Sequence, residues 1–212
     1  MRPRIARTAQ IFCAVIAVVV LCGAGPPDLF DDIYTRSHAL EASIRTVTAR
    51  FTEESTSSLL SSPVVSRGRL AVVRPDRVVM RYSDPAGRVL LIDGNRLTIG
   101  WPARGVHDTS DIAEARRRID KYFVDKSPDE LRRSFAIVAK VAADRANTWQ
   151  IAMTPKRSQI RQGLTGLTLW IDRSSLMLRA MRMAFPTGDA KTLTFDDVVV
   201  NGTVDPKEFV VE

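Results

Sequence analysis

Segments of alternating apolar and polar residues, each closed by turn-forming residues, run through most of this 212-residue chain. In residues 47–52, for example, apolar side chains alternate with threonine and arginine, as in a strand with one buried face. Pro75-Asp76 and Asp93-Gly94-Asn95 close two further segments and have the chemistry of short turns. Connections this short cannot contain the crossover of a parallel sheet, so the pattern predicts an antiparallel meander.

The alternation predicts ten or eleven strands. They cover residues 47–52, 64–74, 77–82, 88–92, 96–101, 135–141, 148–154, 164–172, 176–185 and 191–200. Residues 135–141 are ambiguous, because they could also extend the helix that precedes them. A doubly wound nucleotide-binding fold is excluded, since no strand is followed by a glycine-rich phosphate loop.

Three helices are predicted around these strands. Asp28 can cap the first, whose apolar side chains recur at helical spacing: Phe30, Ile33, Leu40, Ile44 and Val47. The other two form an insertion after residue 102. Ser110 or Thr109 would cap the longer one, and Ser127 opens the shorter one with a capping box.

A sheet of this size curls as its twist accumulates, and its concave side must be filled by side chains, a helix or a ligand. We therefore predict an α+β fold, an incomplete, unclosed antiparallel β-barrel with three helices forming a lid over the concave face. Alternation places ten candidate lining residues on that face: Leu70, Val72, Val78, Met80, Tyr82, Leu90, Ile92, Leu167, Leu169 and Ile171. Ordinary core packing explains each of them. Four methionines between residues 153 and 183 add flexible side chains that suit variable apolar ligands.

The first 24 residues have the features of a secretory signal peptide. Three arginines precede an apolar run at residues 11–21 that is short for a membrane span. Cleavage after Ala24 would leave one domain, residues 25–212, in the periplasm. A retained anchor and a lipid-modified Cys22 are the alternatives. Cleavage would remove both cysteines, Cys13 and Cys22, which excludes disulfides and thiol catalysis.

No catalytic or metal site is predicted. The two histidines, His38 and His107, have no second ligand at metal spacing, and no serine lies in a nucleophile elbow. The formal net charge of +7 is too small to indicate nucleic-acid binding. We expect a monomer that needs no cofactor, binds no nucleic acid and catalyses no reaction.

Residues 68–94 resemble the central hairpins of the LolA-type outer-membrane lipoprotein carriers. In that family a strand ends in Arg-Pro, as at Arg74-Pro75, and an aromatic-rich strand, a proline turn and an Asp-Gly turn follow. Residues 47–53 resemble the family's first strand. Residues 201–209 resemble its terminal Asn-Gly-x-Val-Asp-x-x-x-Phe, so the similar segments span nearly the whole chain in the right order.

The resemblance implies a periplasmic shuttle. Such a carrier accepts acylated lipoproteins from an inner-membrane exporter, shields their acyl chains and passes them to an outer-membrane receptor. It also implies that Arg74 holds the lid helices shut by hydrogen bonding and releases them when lipid enters. Val78 and Met80 are aliphatic where the family is usually aromatic, so a non-protein lipid, such as a glycolipid or polyene lipid, is an alternative cargo. A sensor of envelope lipids or mislocalised proteins is a third possibility.

Overall fold

Eleven antiparallel strands form a single open sheet, described for residues 28–211 in a computed structural model. The strands are β1 (Thr46–Thr56), β2 (Val64–Val73), β3 (Arg77–Asp84), β4 (Ala86–Asp93), β5 (Arg96–Trp101), β6 (Val106–Asp111), β7 (Phe135–Val141), β8 (Thr148–Pro155), β9 (Gly166–Asp172), β10 (Leu178–Ala184) and β11 (Ala190–Val200). Their order is β6-β5-β4-β3-β2-β1-β11-β10-β9-β8-β7, so chain neighbours pair and β1 joins β11 at the centre. Because β6 and β7 are the two edges, the barrel is unclosed, and the predicted fold class is confirmed.

Four α-helices lie within residues 28–211, one more than predicted: α1 (Leu29–Glu41), α2 (Ala113–Tyr122), α3 (Pro128–Ser134) and the single turn α4 (Ser158–Arg161). Short 3-10 helices lie at Pro102–Arg104 and Pro206–Phe209. No helix in the described part of the chain is long and apolar enough to cross a membrane. The predicted signal peptide, with Cys13 and Cys22, lies outside the described residues.

Helix α1 begins as its sequence predicts. The Asp28 side chain accepts a hydrogen bond from the Phe30 amide at 2.8 Å, which satisfies one free amide of the first turn. Arg132 of α3 pairs with Asp28 at 3.0 Å and with Asp31 at 2.6 Å, so α3 anchors this end of the helix. The helix ends at Glu41, and Ile44 is buried in the turn that follows. The apolar stripe predicted for α1 therefore extends past the helix into β1.

The predicted start of the inserted helix is wrong. Thr109 and Ser110 do not cap α2, because they belong to β6, which pairs with β5 along its whole length. This pairing provides hydrogen-bond partners for backbone groups of both strands. Every residue of β6 is exposed, so its sequence shows no alternation of apolar and polar side chains. Helix α2 begins at Ala113, whose amide donates to the Asp111 carboxylate at 2.7 Å. The capping box predicted at Ser127 is present at the start of α3.

The two faces of the sheet are covered differently. We call the side that α1 covers the inner face and the opposite side the outer face. On the outer face the C-terminal segment packs across β2 to β4, where Phe209 is buried against Ala71, Val79 and Val89. The larger buried clusters lie on the inner face. Any functional site that uses the concavity is therefore to be sought on the inner face.

Candidate functional site

Strand register places all ten predicted lining residues on the inner face. Residues that pair directly across antiparallel strands point to the same side of the sheet. The paired rows on β2, β3 and β4 are Leu70–Met80–Leu90 and Val72–Val78–Ile92, with Tyr82 opposite Gly68. On β9, the residues Leu167, Leu169 and Ile171 pair with Met153, Ile151 and Trp149 of β8. The alternation therefore identified the correct face, and ligand contact by these residues stays a prediction.

Helix α1 fills only one half of the inner face. Phe30 and Ile33 are buried there in one cluster with Ile151, Leu167 and Ile171. Leu167 and Ile171 are thus part of the protein core, and Tyr82 is also buried. The other seven predicted residues are only half-buried. Six of them lie on β2, β3 and β4, which leaves an apolar surface where a ligand could pack.

An apolar cavity of about 440 Å³ opens where the C-terminal end of α1 approaches the sheet. Its lining includes Ile44, Val47, Leu70, Ile171, Met177 and Phe195. Ser37 also lines it, and the Ser37 hydroxyl is buried without a hydrogen-bond partner among residues 28–211. Cavities of this volume with few polar groups are typical of small-molecule sites. An occupant with an acceptor oxygen could satisfy the Ser37 hydroxyl.

Arg74 lies at the rim of this cavity and connects the end of β2 to the end of α1. Its Nη1 donates to the Glu41 carbonyl at 3.1 Å and is 3.1 Å from the Glu41 carboxylate. Glu41 itself lines the cavity. Within residues 28–211, the hydrogen bond and the ion pair of the Arg74 side chain therefore connect it to α1. None of its side-chain contacts connects it to α2 or α3. The resemblance implies that Arg74 holds several lid helices, and its role as a latch stays a prediction.

Helix α2 has little contact with the sheet. None of its described residues is buried, and Ile119 is 54% exposed. At its start, Arg116 donates to the carbonyl of Gly94 in the β4–β5 turn. At its end, Tyr122 and the following Phe123 contact the apolar cluster under α1. A helix held mainly at its two ends can be displaced without exposing a large buried area.

A charged cluster lies at the other end of the inner face. Glu53 is only 5% exposed, and Tyr82 donates to its carboxylate at 2.8 Å. Lys191 lies 2.9 Å and Arg88 3.7 Å from the other carboxylate oxygen. Burial, and then the hydrogen bond to Glu53, raise the pKa of Tyr82 to about 12, so its hydroxyl stays a donor at neutral pH.

Sequence reasoning did not single out this cluster. The alternation that puts Ala49 and Phe51 on the inner face also puts Glu53 there, which is the one signal that the sequence carried. Its partners come from β3, β4 and β11. No spacing along the chain connects residues 53, 88 and 191, and only the strand order brings them together.

A metal centre finds no support in the described part of the chain, because nowhere in residues 28–211 do three His, Cys, Asp or Glu side chains form a possible metal site. His38 is exposed on α1, where its ring stacks on that of Tyr34, and His107 is exposed on β6. The candidate site is therefore the inner face, with an apolar cavity at one end and a charged cluster at the other.

The fold and this face define an open antiparallel half-barrel with helices over an apolar concave surface. The family profile described as "Outer membrane lipoprotein carrier protein LolA" matches residues 42–212. The chain belongs to the LolA family. Members of this family are binding and carrier proteins. A search of curated proteins gave no match.

Solved structures share the fold at low sequence identity. The lipoprotein LppX of Mycobacterium tuberculosis is 14% identical, with a TM-score of 0.51 over 82% of this chain and 96% of that chain. An uncharacterised protein from Thermus thermophilus is 10% identical, with a TM-score of 0.51 over 82% and 88%. The MucA/MucB complex of Pseudomonas aeruginosa is 14% identical, with a TM-score of 0.50 over 86% and 60%. At these identities the likeness shows the fold alone.

Proposed function

We propose that this chain is a periplasmic carrier that shields acyl chains on its inner face and moves its cargo from the inner to the outer membrane. Acylated lipoproteins are the first candidate cargo, because the chain belongs to the LolA family. In this proposal an inner-membrane exporter delivers the cargo and an outer-membrane receptor accepts it. Residues 1–24 act as the signal peptide for export.

The observation that carries the proposal is the apolar cavity under the end of α1. It continues onto the half-buried residues of β2 to β4, so one extended apolar surface is available for an acyl chain. Burial of acyl methylene groups contributes about 0.8 kcal/mol each, so about ten of them contribute about 8 kcal/mol toward binding before the cost of association is subtracted. The unpartnered Ser37 hydroxyl can donate to an ester or amide carbonyl at the start of the chain.

A second candidate cargo is a lipid that is not attached to protein. The Glu53–Arg88–Lys191 cluster favours it, because a charged group at the end of an apolar surface suits an amphiphile with a polar head. Both candidates require the same apolar cavity, and both are compatible with carriage that involves no catalysed reaction.

The carrier proposal predicts that the purified protein binds a fluorescent fatty acid and that Met177→Arg weakens this binding at least about tenfold, or about 1.4 kcal/mol. Met177 lines the apolar cavity from the turn before β10, so an arginine there would place a charge against the acyl chain. Fluorescence titration gives both dissociation constants, and mass spectrometry of the native protein detects lipid retained from the cell.

Ser174→Arg is the matched control, because it adds the same side chain to the same turn at an exposed position that does not line the cavity. Its affinity should equal that of the unmodified chain. A protein that binds no fatty acid and retains no lipid would refute the carrier proposal.

Arg74→Leu is predicted to release bound lipid about fivefold faster, since one hydrogen bond contributes about 1 kcal/mol. The substitution removes both contacts from Arg74 to Glu41 and so frees the end of α1 at the cavity mouth. Both partners are well exposed, so global stability should change by less than about 1 kcal/mol. Stopped-flow dissociation of a fluorescent lipid measures the rate.

Arg50→Leu serves as the comparison for the latch. Arg50 forms an exposed ion pair with Asp197 at 2.5 Å on the outer face and does not line the apolar cavity. This variant should release lipid at the original rate. Equal release rates for Arg74→Leu and the unmodified chain would show that Arg74 is not a latch.

A further inference from the structure

The charged cluster on the inner face contains more positive than negative charge. Glu53 is the buried carboxylate, and Arg88 and Lys191 both lie within 4.0 Å of one of its oxygens. The second oxygen accepts the Tyr82 hydroxyl. Because Tyr82 is neutral at physiological pH, one carboxylate faces two cations. The surplus positive charge lies at the margin of an otherwise apolar surface.

The guanidinium of Arg88 is the positive group that a ligand can reach. It lies 3.7 Å from the centre of the Tyr82 ring, which fixes the orientation of the plane. The contact of its Nη2 with the Glu53 carboxylate is 3.7 Å, which is longer than a hydrogen bond. The planar guanidinium thus retains the paired N–H groups that bind phosphate in a bidentate manner.

A cavity of about 400 Å³ opens directly beside Arg88. Ser66 and Tyr82 line it from the sheet, and Trp101 and Arg104 line it from the end of β5 and the 3-10 helix that follows. Arg88 and Arg104 line this space, no acidic side chain among residues 28–211 lines it, and Glu53 lies behind Tyr82 and Arg88. The side chains present therefore suit an anion that carries a further, less polar group.

The two cavities lie near opposite ends of the strands. Val47 lines the apolar cavity, and Glu53 marks the charged end on the same strand, β1. Glu53 is the sixth residue after Val47 along the strand, which corresponds to a distance of roughly 20 Å. Half-buried apolar side chains of β2, β3 and β4 lie between the two ends. A molecule bound along this path would need one anionic end and a long apolar body.

We propose that the charged end of the inner face binds the phosphate head group of an anionic membrane lipid, whose acyl chains extend toward the cavity under α1. Arg88 and Arg104 bind the phosphate, Glu53 holds Arg88 in place, and Lys191 adds a second positive charge beside Glu53. This assignment rests on the carrier function proposed above. Of its two candidate cargoes, it selects the lipid that is not attached to protein.

The test uses the full chain and phosphatidylcholine vesicles that contain equal amounts of phosphatidylglycerol and diacylglycerol with identical acyl chains. Mass spectrometry counts the lipids recovered on the protein. We expect phosphatidylglycerol to exceed diacylglycerol at least about tenfold, since charge-assisted hydrogen bonds to phosphate are the strong ones. Arg88→Gln should lower the recovery of phosphatidylglycerol about tenfold and leave diacylglycerol unchanged.

Two further variants keep the test decisive. Arg104→Gln should reduce the preference as well, and it leaves the contacts of Glu53 intact, so it remains informative if Arg88→Gln fails to fold. Arg67→Gln removes a positive charge at the same end of β2, from an exposed ion pair with Asp84. The preference of Arg67→Gln for phosphatidylglycerol should be unchanged.

Each other outcome has a defined meaning. Equal recovery of both lipids overturns the head-group assignment and leaves the carrier function standing. Recovery of no lipid at all, phosphatidylcholine included, overturns both, whereas recovery of phosphatidylcholine alone overturns the assignment to an anionic lipid and leaves the carrier function standing. Displacement of phosphatidylglycerol by an equal concentration of glycerol 3-phosphate would show a site for free phosphate esters, and would overturn the assignment to a membrane lipid.

Discussion

Replacing Gly68 with alanine is expected to destabilise the protein by at least about 3 kcal/mol, because the added methyl group has no space. A Cβ at this position would lie 2.1 Å from the Arg81 carbonyl oxygen and 2.8 Å from the Phe51 ring. The first of these atoms belongs to the backbone of β3, so the strands themselves would have to separate. Denaturant unfolding followed by circular dichroism measures the loss.

The Gly68→Ala substitution should also disturb the charged end of the inner face. Gly68 pairs with Tyr82, and the Tyr82 and Phe51 rings meet edge to face with their centres 5.0 Å apart. Displacement of either ring would break the hydrogen bond from Tyr82 to Glu53. We therefore expect Gly68→Ala also to lose the high tyrosine pKa, which an ultraviolet titration of tyrosinate detects.

Gly163→Ala is the control for this prediction. No atom lies within 4 Å of a Cβ at that position, so the change in stability should stay within about 0.5 kcal/mol. If Gly68→Ala unfolds at the same denaturant concentration as the unmodified chain, the close approach of β2 and β3 described here is wrong.

Gly68 illustrates what the sequence could and could not predict. Alternation placed Leu70 and its neighbours on the inner face, because the period of a strand depends only on the backbone. The need for glycine at residue 68 depends on Phe51 from β1 and Arg81 from β3. Such a contact between separate strands leaves no trace in the local pattern.

The edge strand β6 shows a second limit. Its residues are all exposed, so no apolar alternation marks them, and the polar Thr109 and Ser110 are ordinary helix-capping residues in isolation. The strand exists because β5 offers a free edge whose backbone groups it satisfies. At Thr109 and Ser110, main-chain pairing with β5 therefore outweighed the tendency of these residues to cap a helix.

The sequence likewise predicted one part of the candidate site and not the other. The apolar lining follows from periodicity, and Arg74 was identified by its resemblance to a family motif. Its partners are the carbonyl and the carboxylate of Glu41, which lies 33 residues earlier in the chain and at no spacing that would connect the two. The cluster of Glu53, Arg88 and Lys191 required the order of β1, β4 and β11 in the sheet, which a list of strands does not determine.

Replacing Phe135 with alanine is expected to cost about 3–5 kcal/mol of stability, the range typical of a fully buried phenylalanine. Phe135 is 0% exposed at the start of β7, and its ring lies 5.0 Å from that of Phe123, centre to centre. Leu131 of α3 belongs to the same cluster. The substitution would thus leave a void between the sheet and the inserted helices, which surrounding atoms fill only in part.

The void should affect the lid more than the sheet. Helix α2 has no buried residue of its own and depends on Tyr122 and Phe123 for its attachment at this end. Hydrogen exchange across residues 113–123 should therefore accelerate in Phe135→Ala more than exchange in β1 and β11. Denaturant unfolding gives the global loss, and exchange mass spectrometry gives its distribution.

Val138→Ala supplies the comparison on the same strand. Val138 is 60% exposed and lies on the outer face, so its truncation should change stability by no more than about 0.5 kcal/mol and leave exchange in α2 unaltered. In the proposed carrier the helices form a lid over the apolar surface, so lipid release from Phe135→Ala should also be faster than from Val138→Ala. Identical exchange of α2 in the two variants would mean that Phe135 supports β7 alone, and the lid would then need another anchor.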